Sequence, residues 1–335
     1  MIEVRNLVKK YGAVPAVRDV SFTLPDGQVL GFLGPNGAGK TTVMKILTGF
    51  HFPGGGVALV NGVSVQEDPV AVKRMIGYLP EGVPLYGELT VTEYLAFIAE
   101  ARLVPKENRQ AAIDTALEQC GLTRMASRRI DTLSKGYRQR VGLAEAIVHD
   151  PPILILDEPT TGLDPNQIIE IRGLIKELGR RKTVILSTHI LQEVEAVCTQ
   201  VLILNAGRIA AQGSPSEIAA NLRGGESWNL LLKAASPQSA APAVSIEQSL
   251  AAFAAGFEGG MKITGVNEAA GGAVEATFVI RGGAASDSSE NGERIFDWAV
   301  SLNLKILEMS RRKTSLEDIF VKLTGEAANE KQREK

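Results

Sequence analysis

The sequence predicts an α/β fold with a mixed sheet at its core, followed by a smaller α+β domain. Short continuous apolar runs alternate with helical patterns, and they lack the polar alternation of half-exposed strands, which is typical of parallel strands buried on both faces. Glycine, alanine, serine and proline become frequent from Gly224-Gly225 onward, which marks a change of domain. A chain of 335 residues has room for two domains. We therefore place the α/β domain at 1–222 and an accessory domain at 223–335.

The first residues favour an antiparallel set of strands at the start of the α/β domain. Apolar stretches at 2–8, 17–24 and 28–33 are punctuated by the turn sequence Pro25-Asp26-Gly27. The continuous apolar runs that we interpret as core strands follow at 76–79, 153–156, 184–187 and 201–204. Asn205-Ala206-Gly207 marks a hairpin turn after the last of these runs.

A long, mainly helical segment at 82–150 separates two of the predicted core strands. Its clearest helical patterns lie at 89–103 and 108–120. We predict that this segment forms a helical subdomain of the α/β domain.

The accessory domain carries its own alternation of strand and helix patterns. The predicted order is strand, helix, strand, strand, helix, strand, at 227–233, 245–257, 261–266, 273–280, 293–302 and 305–310. This order is the split βαβ arrangement of a ferredoxin-like sandwich.

Composition and charge restrict the class of protein. The formal net charge of −2 lacks the basic excess of a dedicated nucleic-acid binder, so we expect no nucleic-acid partner. The N-terminus has no signal-peptide pattern, and the longest apolar stretch, around 153–156, is far shorter than the ~20 residues of a membrane helix. We therefore expect a cytoplasmic protein that reaches the membrane through a partner. Cys120 and Cys198 form no metal or disulfide pattern and are expected to be buried, inert thiols.

The sharpest motif is Gly34-Pro35-Asn36-Gly37-Ala38-Gly39-Lys40-Thr41, which matches the phosphate-binding loop G-x-x-x-x-G-K-[ST]. It lies between an apolar strand and a helical pattern at 42–49, where glycines let successive N–H groups face phosphate oxygens. Lys40 is expected to contact the β- and γ-phosphates and Thr41 to ligate Mg²⁺. The expected nucleotide contacts are Gly34, Asn36, Gly37, Ala38, Gly39, Lys40, Thr41 and Thr42. This loop alone does not separate kinases, GTPases, helicases and transporter ATPases.

A second motif is the apolar run 153–156 followed by two acids. We expect this strand to lie next to the strand of the phosphate loop, and Asp157 at its carboxyl end to bind Mg²⁺, directly or through water. Glu158 would then lie beside the γ-phosphate, where a carboxylate polarises an attacking water. The structural alternative is a strand that ends in two solvated acids.

A third motif decides between these classes. Leu133-Ser134-Lys135-Gly136-Tyr137-Arg138-Gln139-Arg140 lies about twenty residues before 153–158 and opens a predicted helix at 138–148. Alone, it is compatible with any N-capped helix start. Between the other two motifs, it resembles the LSGGQ signature of the ABC ATPases, in which the serine hydroxyl and the glycine amide face a γ-phosphate.

Further residues match the ABC family in order, over about 2–215. Thr161-Gly162-Leu163-Asp164 resembles the D-loop, and Ser187-Thr188-His189 resembles the segment of the switch histidine. Tyr11 resembles the aromatic residue on which adenine stacks. The resemblance implies an ABC cassette of the P-loop NTPase fold that binds and hydrolyses ATP with Mg²⁺. His51 and His149 have no such context, and we expect them to be structural.

Two departures from the family pattern stand out. Glu81 occupies the position of the usual Q-loop glutamine and keeps an oxygen ligand for Mg²⁺ while adding negative charge, and the signature carries Lys135 and Tyr137 at its third and fifth positions. Glu81, together with Ser315-Leu316-Glu317-Asp318-Ile319-Phe320, is similar to ATPase subunits of type-2 exporters, including the gliding-motility and drug-export groups.

The resemblance also implies partners. In ABC ATPases the signature reaches the nucleotide of a second subunit, so Ser134, Gly136 and Asp164 are expected to face the ATP of a homodimer or heterodimer partner. Transmembrane permease subunits would hold the protein at the cytoplasmic face of the cell membrane. The alternatives are a soluble ABC ATPase of translation or DNA repair, and an ordinary P-loop kinase. The accessory domain would extend the dimer interface or act as a regulatory module.

Overall fold

The computed structural model describes residues 1–221, 226–234, 243–257, 260–280 and 288–312. These residues divide into two compact units between Ile218 and Ala219. The domain boundary at 222 that the composition suggests stays a prediction. Each unit is described by itself below.

The first unit contains ten strands and eight helices in the part of the chain that is described. The strands are β1 (Ile2–Tyr11), β2 (Val14–Leu24), β3 (Val29–Leu33), β4 (Gly55–Val60), β5 (Val63–Ser64), β6 (Ile76–Leu79), β7 (Ile153–Asp157), β8 (Thr183–Thr188), β9 (Gln200–Asn205) and β10 (Arg208–Gly213). The helices are α1 (Lys40–Leu47), α2 (Pro69–Met75), α3 (Val91–Ala101), α4 (Arg109–Gln119), α5 (Lys135–Ile147), α6 (Pro165–Gly179), α7 (Leu191–Val197) and α8 (Pro215–Asn221).

An antiparallel sheet in the order β2-β1-β4-β5 opens the unit and confirms the predicted strand set for 2–8 and 17–24. The stretch 28–33 forms a strand as predicted, but this strand, β3, pairs parallel with β8 and β9 in the second sheet. The sequence did not predict β4 or β5. β4 begins with two glycines, which strands disfavour. It forms because it pairs with β1, from Ile2 opposite Val60 to Val8 opposite Gly55. That pairing joins segments far apart in the sequence, so local patterns do not reveal it.

The mixed sheet has the order β10-β9-β3-β8-β7-β6, and all its strands are parallel except β10, which pairs antiparallel with β9. Every residue of β3, β7 and β8 is buried, as the continuous apolar runs predict. Phe32 of this sheet packs edge-on against Phe22 of the antiparallel sheet, with ring centroids 5.4 Å apart, so one apolar core includes both sheets. The carboxyl ends of five parallel strands therefore meet at one sheet edge.

The helical segment between β6 and β7 confirms the predicted insertion. α3 begins after a capping box of Thr90 and Glu93. α5 begins three residues earlier than predicted, because Ser134 serves as its N-cap and accepts a hydrogen bond from the backbone of Tyr137 over 3.4 Å. α5 then packs against β6, where Gly77 allows the two backbones a close approach.

Both cysteines are buried, as predicted. Burial raises the pKa of the Cys120 thiol and of the Cys198 thiol to about 12. Thiols with such a pKa are unreactive at neutral pH. Among the helices that the structure describes, none is both long and apolar enough to span a membrane.

The second unit contains β11 (Glu226–Ala234), α9 (Ala243–Ala255), β12 (Met261–Ala269), β13 (Ala273–Ile280), α10 (Ser288–Ser301) and β14 (Leu304–Arg312). Its sheet has the order β12-β13-β11-β14, with every neighbouring pair antiparallel. Trp228, Phe278 and Trp298 lie in its apolar core. The element order is the predicted one. Residues 315–320, which carry part of the exporter resemblance, lie outside the described residues.

Candidate active site

The loop 34–39 connects β3 to α1 at the sheet edge where the parallel strands end. Gly39 precedes α1 with a φ of 106°, which side chains rarely adopt, and a Cβ atom there would lie 2.5 Å from the carbonyl oxygen of Ala16. The loop can hold its shape only because this position is glycine. Its backbone leads directly into the N-terminus of α1, where unpaired N–H groups favour an anion.

A cavity of about 500 Å³ lies over this loop. The structure brings eleven of the residues predicted to bind or act on the nucleotide together at this cavity, namely Tyr11, Asn36, Gly37, Ala38, Gly39, Lys40, Thr41, Thr42, Glu81, Glu158 and His189. Ala16 and Thr161, which the sequence analysis did not select, also line it. Gly34, the other phosphate-loop residue predicted to contact the nucleotide, does not line it and offers its carbonyl oxygen to Lys40.

Lys40 provides positive charge at the cavity although its side chain is almost wholly buried. Its Nζ atom donates to the carbonyl oxygen of Gly34 over 2.8 Å and lies 3.4 Å from Oε1 of Glu158. A cation held between a carbonyl and a carboxylate is fixed in position, so it can meet a phosphate with little loss of side-chain entropy.

Asp157 lies at the end of β7 with 1 % of its surface exposed. Oδ1 accepts a hydrogen bond from the hydroxyl of Ser187 over 2.5 Å and lies 3.3 Å from Oγ1 of Thr41. Within the described part of the chain, no basic side chain forms an ion pair with it. A buried carboxylate without a basic partner, beside a threonine hydroxyl, fits a hard divalent cation such as Mg²⁺.

The negative charge near Asp157 also affects Tyr78 of β6. Burial, and after it the charges of Asp157 and Glu81, raise the pKa of the Tyr78 hydroxyl above its usual value. Two carboxylates therefore act on the same small region. Among the described residues, no three His, Cys, Asp or Glu side chains could hold a metal ion by themselves.

Glu158 and His189 form the closest pair of titratable groups at the cavity. Nδ1 of His189 lies 2.8 Å from Oε2 of Glu158. Glu158 adopts a φ of 50°, uncommon outside glycine, and its N–H donates to the hydroxyl of Ser187 over 3.0 Å. A strained backbone held by a buried hydrogen bond directs this carboxylate into the cavity, where it can polarise a water molecule.

Tyr11 presents its ring at the mouth of the cavity with 45 % of its surface exposed. The ring of His51 packs edge-on against it, with centroids 5.8 Å apart. Nζ of Lys9 lies over the same ring, 5.6 Å from its centroid, and the tyrosine lines the cavity, where a flat aromatic group can stack on it. Nε2 of His149, by contrast, contacts the carbonyl oxygen of Ile76 at 3.3 Å, and burial lowers the pKa of this histidine to about 4.

Ser134, Gly136 and Asp164 do not line the cavity. Asp164 is the N-cap of α6 and accepts from the backbone of Gln167 over 2.9 Å. The side chain of Gln167 also covers Gly136, where a Cβ atom would lie 2.5 Å from its Cδ. The assignment of these three residues to the nucleotide of a partner subunit stays a prediction.

Two buried residues near the site were not identified from the sequence. Ser187 lies in the Ser187-Thr188-His189 segment, but nothing in the motif indicates that its hydroxyl contacts Asp157. Glu193 of α7 has 1 % of its surface exposed, and its carboxylate accepts a hydrogen bond from Thr188 over 2.6 Å. A glutamate in a helical pattern is usually exposed, so no sequence signal marks this one.

The chain is similar to a known protein family and to several known proteins. A family model described as ABC transporter matches residues 17–161. The ABC transporter ATP-binding protein NatA of Bacillus subtilis (strain 168) is 38 % identical over 212 residues, which cover 63 % of this chain and 86 % of that protein. The Nod factor export ATP-binding protein I of Rhizobium meliloti (strain 1021) is 39 % identical over 219 residues, 64 % of each chain. The solved dimer of the ATP-binding cassette MJ0796, bound to ADP and Pi, is 25 % identical with a TM-score of 0.59, covering 64 % of this chain and 98 % of that one.

Proposed function

We propose that this chain, which belongs to the family of ABC transporter ATP-binding proteins and is an ATP hydrolase, powers export through transmembrane partner subunits. The proposal rests on one observation: Lys40, Glu158 and His189 line the same cavity over the phosphate loop. Within it, Oε2 of Glu158 lies 2.8 Å from Nδ1 of His189. The Nod factor export protein among its relatives supports the outward direction. A soluble ATPase of translation or DNA repair is not favoured, because the relatives are transporter proteins.

The residues in and beside the cavity have separate roles in ATP hydrolysis. The N–H groups of the loop 34–42 hold the triphosphate, Tyr11 stacks on the adenine, and Lys40 contacts the terminal phosphates. Glu158 orients and polarises the attacking water, and His189 fixes the carboxylate of Glu158 and reaches the γ-phosphate. Thr41, Asp157 and Glu81 would hold Mg²⁺, which neutralises charge on the phosphates.

A second ATP-binding subunit completes the site. Ser134 and Gly136 lie outside the cavity of their own chain, so we assign them, with Asp164, to the nucleotide of a partner subunit. The dimeric state of the MJ0796 cassette bound to ADP and Pi supports this arrangement. The partner is a copy of this chain or a related subunit. ATP then favours the closed dimer because its phosphates contact both subunits, and hydrolysis removes that advantage.

The transmembrane partners would contact a groove of about 550 Å³ beside Glu81. Phe50, Tyr78 and Pro80 line it, with Lys45, Lys73 and Arg102 adding basic groups. Phe50 is exposed on the surface and lies under Nζ of Lys73. This combination suits a cytoplasmic segment of a permease with apolar and acidic side chains. The protein would thus be peripheral on the cytoplasmic face of the cell membrane.

The decisive experiment arrests hydrolysis and measures assembly. In the full-length Glu158→Gln variant with ATP and Mg²⁺, we expect nucleotide to stay bound, turnover to fall by at least roughly a hundredfold, and light scattering to show a dimer. The double variant that carries both Glu158→Gln and Ser134→Arg should stay monomeric under the same conditions. The matched variant Glu195→Gln changes an exposed glutamate and should keep wild-type turnover.

Two outcomes would overturn the proposal. One is a Glu158→Gln protein that hydrolyses ATP at the wild-type rate, which removes Glu158 from its role with water. The other is a nucleotide-loaded Glu158→Gln protein that stays monomeric even with its membrane subunits present. Purification of the complex from native membranes identifies those subunits.

A further inference from the structure

The carboxylate of Glu193 joins the two chain segments that carry the catalytic pair. It accepts hydrogen bonds from the hydroxyls of Thr160 and Thr188, the latter over 2.6 Å. Thr160 lies two residues after Glu158, and Thr188 immediately precedes His189. One buried side chain on α7 therefore connects the segment after β7 to the end of β8.

This connection fixes the backbone on both sides of the pair. The hydroxyl of Thr188 also accepts a hydrogen bond from the N–H of Ile190 over 3.0 Å, which closes the turn that presents His189. On the other side, Oγ1 of Thr161 lies 3.4 Å from Oε2 of Glu158. The distance between Glu158 and His189 thus depends on the contacts of Thr160 and Thr188 with Glu193 as well as on contacts that the pair makes itself.

Burial of a charged side chain at position 193 is energetically unfavourable. Glu193 has 1 % of its surface exposed, and its one basic neighbour among the described residues is Arg172, at 3.5 Å. Removing a carboxylate from water costs several kcal/mol unless hydrogen bonds and an ion pair compensate, and an apolar side chain of similar volume often packs as well. Stability alone therefore does not explain why a glutamate occupies this position.

We infer that Glu193 is a positioning residue for ATP hydrolysis, which holds Glu158 and His189 in contact through Thr160 and Thr188. The inference rests on the proposed function, because it takes Glu158 and His189 as the groups that act on water and phosphate. Glu193 does not touch the cavity. Its effect falls on the orientation of the pair and leaves the nucleotide contacts of the loop 34–42 unchanged.

The test compares Glu193→Gln with the matched variant Glu195→Gln, which changes an exposed glutamate on the same helix. In the full-length protein, Glu193→Gln should lower kcat roughly tenfold, since small displacements of a catalytic group have large effects on rate. The KM for ATP and the Kd of a fluorescent ATP analogue should change by less than about twofold, as expected when the lost interaction acts in the chemical step. Glu195→Gln should match the wild type in all three.

A second pair of variants covers the case in which Glu193→Gln does not fold. Thr188→Val and Thr160→Val keep the side-chain shape and each remove one hydroxyl, and both should lower kcat with ATP affinity retained. Glutamine keeps one acceptor oxygen, so Glu193→Gln loses the acceptor of one threonine. In that background, the valine variant of that threonine should cause a much smaller further loss, because the contact that it removes is already broken.

The outcomes separate this inference from the proposed function. If kcat stays near the wild-type value in folded Glu193→Gln, or in both valine variants where that protein does not fold, Glu193 is purely structural and the inference fails. The same holds if kcat and ATP affinity fall together. Wild-type turnover in Glu158→Gln would instead contradict the proposed function. Loss of turnover in Glu158→Gln, with normal turnover in Glu193→Gln, contradicts the positioning role alone.

Discussion

Ser187 donates a hydrogen bond to Oδ1 of Asp157 over 2.5 Å, between neighbouring strands at the carboxyl edge of the mixed sheet. The same hydroxyl accepts the N–H of Glu158 over 3.0 Å. One buried side chain thus supports both acids at the end of β7.

The variant Ser187→Ala should weaken the site in two ways. Asp157 loses a donor, and the N–H of Glu158 keeps only the carbonyl oxygen of Ser187, at 3.2 Å, as its acceptor. We therefore expect a higher Mg²⁺ requirement for ATPase activity and a stability loss of about 1–3 kcal/mol. Mg²⁺ titrations of turnover and urea unfolding measure the two effects. Ser21→Ala, which removes an exposed hydroxyl that accepts from Asn6, is the control. An unchanged Mg²⁺ dependence would contradict the supporting role of Ser187.

Lys40→Ala should reduce ATP affinity by at least roughly tenfold, because a fixed cation at the phosphates is lost. Nucleotide-dependent dimerisation should disappear with it. Lys176→Ala, which removes an exposed lysine of α6, should leave both unchanged. Equilibrium titration with a fluorescent ATP analogue provides the measurement. Wild-type affinity in Lys40→Ala would refute the assignment of the phosphate loop.

Gly77→Ala should destabilise the first unit. A Cβ atom at Gly77 would lie 2.0 Å from the carbonyl oxygen of Ala146 and 2.8 Å from Cδ2 of Leu154, so β6 and α5 must separate. Overpacking of this kind costs about 3 kcal/mol or more when backbone atoms are involved. Gly173→Ala is the matched control, since nothing lies within 4 Å of the new atom, and it should be neutral or slightly stabilising. Equal urea midpoints for the two variants would contradict the tight contact.

His149 should make the folded protein sensitive to acid. Burial, reinforced by the charge of Arg102, lowers the pKa of His149 from 6.5 in the unfolded chain to about 4. Between these values the unfolded chain binds a proton that the folded chain does not, so the free energy of unfolding falls as the pH drops from 6.5 toward 4. His149→Gln should remove this part of the slope. Urea unfolding across that pH range tests it, and parallel curves for the two proteins would count against the prediction.

Much of the site was predictable because its residues lie at the ends of strongly apolar strands. Each strand identifies itself locally, and the chain order of Lys40, Asp157, Glu158 and His189 matches a known motif order. The partners that support these residues were not predictable. The predicted placement of β7 next to β3 is wrong, because β8 lies between them, and Asp157 stands opposite Ser187 because β7 pairs with β8 in this register. Hydrophobic patterns predict burial but do not specify which hydroxyl meets which carboxylate.

The remaining differences between the predicted and the observed elements concern β4, β5 and the start of α5. β4 begins with glycines and β5 has two residues, so neither carries a strand pattern of its own. The early start of α5 depends on the cap at Ser134, whose strength a hydrophobic pattern does not include.

The contact between β6 and α5 has a consequence for motion. A Cβ atom at Gly142 of α5 would lie 2.7 Å from Cδ1 of Leu79, and one at Gly77 of β6 would lie 2.0 Å from the carbonyl oxygen of Ala146, so each element has a glycine against which the other packs closely. A helix whose backbone lies this close to a strand cannot slide along it without first moving away from it. The signature serine, at the first turn of α5, and Glu81, two residues beyond β6, should therefore be displaced together as the ends of a single rigid body.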